Sequence, residues 1–177
     1  SATNECVFFP WEAKLPLFWI HGKQGDGFYP NPGDAYTVHA DVSSERVMLL
    51  IAEGIFKDPH AAWLLQPSDD HFAEILYGDK RVRPMAPDAP GAVLPLSRQF
   101  GHSGVVVVRD HWDRDTTFLQ FRSVPFYSTN HHHRDENSFT LHYRGPLAID
   151  SGFYDEGGAG TQKGGYGGVH WNNYFTR

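Results

Sequence analysis

The sequence is short of sulfur, of positive charge and of long apolar runs. Its 177 residues include one cysteine, Cys6, so no internal disulfide can staple the fold. A lone thiol fits a reducing compartment, and fits equally a periplasmic protein without disulfides. Lysine and arginine number 15 against 21 aspartates and glutamates, a formal net charge of −6. That balance excludes nucleic acid as the main partner, because phosphate binding wants a basic face. It also disfavours a polyanion for the molecule as a whole, although local potential counts for more than the sum. Arg109, Arg122, Arg134, Arg144 and Lys163 all lie in the second half. No apolar run is long enough to span a bilayer. The opening Ser1-Ala-Thr-Asn-Glu5 is not a signal peptide. A removed leader, or a place inside a longer polypeptide, is the expectation.

What is present allows a real core. Hydrophobic residues make up 40% and aromatics 15%, while 18 glycines and 12 prolines favour strands and turns over a helix bundle. The length suits one good-sized domain or two small pieces.

Residues 1–40 are loop-rich, broken by Pro10, Pro16, Pro30 and Pro32. The run Gly22-Lys-Gln-Gly-Asp-Gly27 lacks the strand and helix flanks of a phosphate loop and reads as a turn. A helix is expected from Ser43 or Ser44, with Val47, Leu50, Ile51, Gly54 and Ile55 on its apolar face. Asp58-Pro59 opens a second short helix through Leu64. A third runs from Asp70 to Tyr77. Residues 79–92, with prolines at 84, 87 and 90, read as a linker.

After it the period changes to two. Val105–Val108, Thr116–Arg122, Ser138–Tyr143 and Leu147–Ile149 are expected strands. The fold class is therefore α+β, with helices first and an antiparallel β-sandwich second. The domain expectation is 1–78, linker 79–92, and 93–177. Residues 157–168 are a glycine-rich excursion, and the aromatic end at His170–Arg177 stops as if inside a domain.

The stretch that carries chemistry is His131-His-His133-Arg134-Asp135-Glu136-Asn137-Ser138-Phe139. In an extended segment His131, His133 and Asp135 share one face. Imidazole is both a metal ligand and a base near neutral pH. A hairpin at Arg144-Gly145-Pro146 would return the chain and bring Asp150 back towards this strand. From the residues alone, a solvated loop is an equal reading.

Several motifs in order resemble the heparinase II/III-like polysaccharide lyases. They are Leu94-Pro-Leu-Ser97, Gly104-Val-Val-Val-Val-Arg109-Asp-His-Trp112, His131-x-His133-x-Asp135-x-Asn137-Ser138-Phe139, Gly145-x-Leu147-x-x-Asp150-x-Gly152-x-Tyr154, and His170-Trp-Asn-Asn-Tyr-Phe-Thr-Arg177. The resemblance implies the end of an (α/α) toroid followed by an incomplete sandwich. It implies β-elimination on a uronic-acid polysaccharide such as heparin or heparan sulfate, with alginate or oligoalginate as the alternative substrate. The reaction needs a base at C5, a group that quiets the carboxylate, and an acid for the leaving oxygen.

By the same resemblance His131 matches the proton-transfer histidine. His133 and Asp150 match two ligands of a structural zinc whose third ligand would lie beyond Arg177. The catalytic tyrosine, and the asparagine or glutamate that meets the carboxylate, would lie upstream of Ser1. Arg109, Arg134, His170, Trp171 and Asn173 are the candidate substrate contacts. His170 is equally a substitute metal ligand, Trp171 a core residue, and Asn173 a turn residue. Glu136 would repel an acidic sugar or bind Arg109 or Arg122.

Expected partners are an acidic polysaccharide or oligosaccharide, a second copy in a homodimer, and the rest of the same polypeptide. The expected location is periplasmic or secreted. Two other classes compete: a non-catalytic, zinc-stabilised glycan-binding or structural module, and a hydrolase using zinc-bound water.

Overall fold

The computed structural model describes residues 10–30, 45–65, 71–125 and 136–148. Two compact bodies divide the chain, and residues 22–30 fall with the strands, not with the helices that precede and follow them. No helix among the described residues is long and apolar enough to cross a membrane.

The helical body contains a 3-10 turn at Glu12–Lys14 and most of α1 (Leu15–Gly22), then α2 (Arg46–Gly54), α3 (Pro59–Leu64) and α4 (His71–Tyr77). α2, α3 and α4 match the expected helices, whereas α1 falls in the stretch expected to be loop-rich: Pro16 sits in its first turn, where a missing N–H costs nothing. The α3 start follows its sequence signal: Asp58 Oδ1 accepts from the backbone N–H of His60 at 2.7 Å and of Ala61 at 2.9 Å, and Pro59 fills the first turn. Leu49–Ala52 and Leu64 are buried here. Lys57, in the left-handed region at φ 58°, reverses the chain after α2 and bonds Gly54 O and Asp79.

Gly54 packs against the end of α4 so closely that a Cβ would lie 1.5 Å from Tyr77 O. α4 itself shows an apolar stripe, Phe72, Ile75 and Leu76, exposed by 73%, 80% and 53%. Its cover is not among the described residues.

The expected linker is held. Met85 N–H donates to Pro59 O at 2.9 Å, the His60 ring lies 2.8 Å from Met85 O, and Leu94 N–H donates to Pro87 O at 2.7 Å. Residues 79–94 therefore belong to the helical body, and the border falls between Leu94 and Pro95.

The second body is one antiparallel sheet in simple sequence order: β1 (Ser97–Phe100), β2 (Val105–Arg109), β3 (Phe118–Arg122), β4 (Phe139–His142) and β5 (Pro146–Ala148). The α+β class holds. A second sheet is not among the described residues. The β4–β5 turn falls at the expected place, with Arg144 in the left-handed region at φ 55° and Pro146 opening β5. A turn at residues 136–137 precedes β4, so the alternation of β4 does not run unbroken into the histidine stretch.

Register defines two faces. One carries Val105, Val107, Arg109, Phe118, Gln120, Thr140 and His142, with Val105, Val107 and Phe118 as its apolar centre. The other carries Val106, Val108, Leu119, Phe121, Phe139 and Leu141, and Phe139 is 53% exposed. The mixed polar face is the buried one.

Gly54→Ala should cost the helical body about 3 kcal/mol, since the added methyl meets backbone and must push α2 from α4. Urea unfolding followed by far-ultraviolet circular dichroism checks this; an unchanged midpoint contradicts the packing.

Candidate functional site

Residues 22–30 explain why polar side chains can lie under the sheet. His142 sits at the end of β4 with 2% exposure, and its Nε2 lies 3.0 Å from Asp26 Oδ2. The imidazole N–H donates and the carboxylate accepts, which satisfies a group that would otherwise cost free energy to bury. Arg109, at the end of β2, donates from Nη2 to Lys23 O at 2.6 Å. Its guanidinium stacks 4.1 Å over the Trp112 ring and lies 5.4 Å from the Phe118 ring centre. Burial lowers its pKa to about 10, so it stays charged at neutral pH. Burial also lowers the pKa of Lys23.

Gly25 makes the approach possible. A Cβ there would lie 2.2 Å from Arg114 O, so the 22–30 segment lies on the backbone of the β2–β3 loop. Asp26 reinforces the turn by accepting from Phe28 N–H at 3.0 Å.

A cleft of about 700 Å³ opens above this contact, lined by Asp26, Asp113, Arg114, Asp115, His142 and Arg144. Three carboxylates, two guanidinium groups and an imidazole offer both donors and acceptors, a lining suited to a polar ligand rich in hydroxyl groups. Asp110 anchors the β2–β3 loop, accepting from Thr116 Oγ1 and Thr117 N–H, each at 2.9 Å. Desolvation pushes its pKa up, but hydrogen bonds from Thr117 and Thr116 outweigh that and hold it at about 2. His111, Asp113 and Asp115 present ligand-type atoms within 4.8 Å of one another. Both His111 ring nitrogens already face carboxylates, so we read this group as ion pairs and not as a metal centre.

No protein-family model matches the sequence, and no curated protein matches it. Solved structures do. A structure described as a heparinase III gene product superposes with a TM-score of 0.53 at 24% identity, covering 86% of this chain and 22% of that one. Heparan sulfate lyase HepC from Pedobacter heparinus gives 0.52 at 18% identity, covering 91% and 21%. A HepC mutant gives 0.50 at 20% identity, covering 78% and 19%. The chain has the heparinase III fold. It spans about one fifth of the length of each of these chains.

Of the expected site residues, Arg109 alone lies among the described ones. It is 6% exposed and its guanidinium is used inside the fold. It is closed between Trp112, Phe118 and Lys23 O, and its expected contact with a sugar stands as a proposal. His131, His133, Arg134, Asp150, His170, Trp171 and Asn173 lie outside the described residues. Glu136 binds neither arginine through its buried Oε1, which has no hydrogen-bond partner among the described residues.

Sequence reading missed the Asp26–His142 pair. The period-two pattern of β4 put His142 opposite the apolar set, and nothing local marked Asp26 as its partner.

Removing the partner should be worse than neutralising it. Asp26→Ala should cost about 1–3 kcal/mol by leaving His142 buried without an acceptor. Asp26→Asn keeps a carbonyl oxygen and should cost less. Urea midpoints of the two variants test the order, and equal midpoints to the parent would remove the clamp from the account.

Proposed function

We propose that this chain is part of a polysaccharide lyase that cleaves a uronic-acid-containing polysaccharide, such as heparin or heparan sulfate, by β-elimination. The observation that carries the reading is the fold shared with heparinase III and HepC over most of the chain, together with the ordered motifs of the second half. Periplasmic or secreted placement goes with that substrate class.

In this reading His131 moves a proton in the elimination. The chemistry asks for abstraction at C5, relief of the carboxylate charge and protonation of the leaving oxygen. Arg109, Arg134, His170, Trp171 and Asn173 contact the sugar. Arg109 also holds the end of β2 against Lys23 and Trp112. The tyrosine and the asparagine or glutamate that complete the site come from the rest of the polypeptide.

A zinc held by His133 and Asp150 belongs to the same proposal. β5 returns antiparallel to β4 with Ala148 opposite Leu141, while His133 and Asp150 themselves lie outside the described residues. The donor set, an imidazole and a carboxylate, suits zinc. Such an ion would brace the strands and stabilise the fold.

A non-catalytic glycan-binding module is the second reading. The mixed cleft at Asp26, Asp113, Asp115 and Arg144 favours it, because its carboxylates and guanidinium groups suit the hydroxyl groups of a sugar.

The test uses the full polypeptide with heparin, heparan sulfate and alginate in turn. A lyase raises ultraviolet absorbance as the unsaturated sugar forms, and His131→Ala should lower that rate by about 10²–10⁴-fold. Chelation should lower thermal stability through loss of the brace. Binding with no absorbance rise on any substrate would sink the lyase reading in favour of the module.

A further inference from the structure

The β2–β3 loop holds a chain of ion pairs that the proposed elimination does not use. Asp110 Oδ1 lies 2.7 Å from His111 Nδ1. His111 Nε2 lies 3.0 Å from Asp115 Oδ1. Asp115 Oδ2 accepts from Arg144 Nη2 at 3.2 Å. The chain thus runs from the end of β2 to the β4–β5 turn, and Asp115 and Arg144 line the cleft.

A neutral imidazole has one N–H and one bare lone pair. It can donate to one of two flanking carboxylates but not to both. The imidazolium donates to Asp115 and also holds Asp110, 2.7 Å away, by charge. We propose that His111 is a protonation-operated latch: protonated, it joins Asp110 to Asp115 and presents Asp115 to Arg144; deprotonated, it lets one carboxylate go and loosens the cleft rim.

The charged groups around it come from three places. Asp110, Asp113 and Asp115 lie on its own loop, Arg144 on the β4–β5 turn, and Asp26 and Arg114 line the same cleft. The bracketing carboxylates stay ionised near neutral pH. The Asp115 pKa is lowered, first by its hydrogen bond to His111 and then by Arg144. His111 is the member that changes charge. Its pKa is raised, chiefly by the hydrogen bond to Asp115, with burial opposing and Asp110 adding.

The sign follows from that direction. A raised folded-state pKa means the link is fully made below the ordinary histidine value of about 6.5 and is lost as pH rises through the higher folded value. All these side chains are well exposed, so the effect is local. An anion entering the cleft above that pH meets one positive charge fewer.

Two measurements on the full polypeptide test the latch. NMR titration of the His111 ring should give a midpoint above the ordinary value, and Asp115→Asn should lower it. Amide-exchange protection over 111–117, corrected for intrinsic exchange, should fall several-fold as pH rises through that midpoint. In His111→Gln it should stay level across the same range. An ordinary midpoint unmoved by Asp115→Asn, or loop protection as pH-dependent in His111→Gln as in the parent, overturns the proposal. Neither readout depends on lyase activity.

Discussion

The hydrogen bond between His142 and Asp26 is the contact on which the strand body depends. It joins residues 116 positions apart and pins a short irregular segment under one face of a sheet. Everything else on that face follows from it. Arg109 can be buried because Lys23 O is brought within reach. Gly25 can touch the Arg114 backbone because nothing larger would fit. The cleft exists because the segment, the β2–β3 loop and the β4–β5 turn meet at their ends. A polar face covered by a polar partner is stable only when nearly every buried donor finds an acceptor. Here the partner is backbone as well as side chain, and His142 Nδ1 and Thr140 Oγ1 are buried with no hydrogen-bond partner among the described residues.

The opposite face of the sheet obeys another rule. Val106, Val108, Leu119, Phe121, Phe139 and Leu141 form an apolar surface with no cover among the described residues. α4 in the helical body has the same character along Phe72, Ile75 and Leu76. Contiguous apolar surface of this kind mostly marks an interface. Both bodies therefore present apolar surfaces whose cover lies outside the described residues. The likeness to the solved structures is one of fold. The chemistry assigned to it rests on residues of the histidine stretch.

Much of the local structure was legible because its causes are local. Asp58-Pro59 announces a helix start through a side-chain cap and a fixed φ, and the helix begins there. Arg144-Gly145-Pro146 announces a reversal, and β4 and β5 pair across it. The valine run from 105 is a strand because β-branched side chains favour one. The proline-spaced stretch from 79 to 92 misled for a related reason. Proline marks irregular backbone, but irregular backbone can still be tied down, as it is by Pro59 O and His60.

The sequence by itself determined where α2 to α4 and β2 to β5 lie, their antiparallel order and the two faces of each strand, but not α1, whose Pro16 reads equally as a breaker and as a first-turn residue. It could not determine which face is buried. Alternation distinguishes the faces, while burial depends on what lies against them, and that is set by distant residues. Phe139 faces out and His142 faces in because Asp26 and Lys23 arrive from the far end of the chain. Only the tertiary structure decided that Arg109 serves the fold, since its partners are a carbonyl and two rings with no mark in the surrounding sequence.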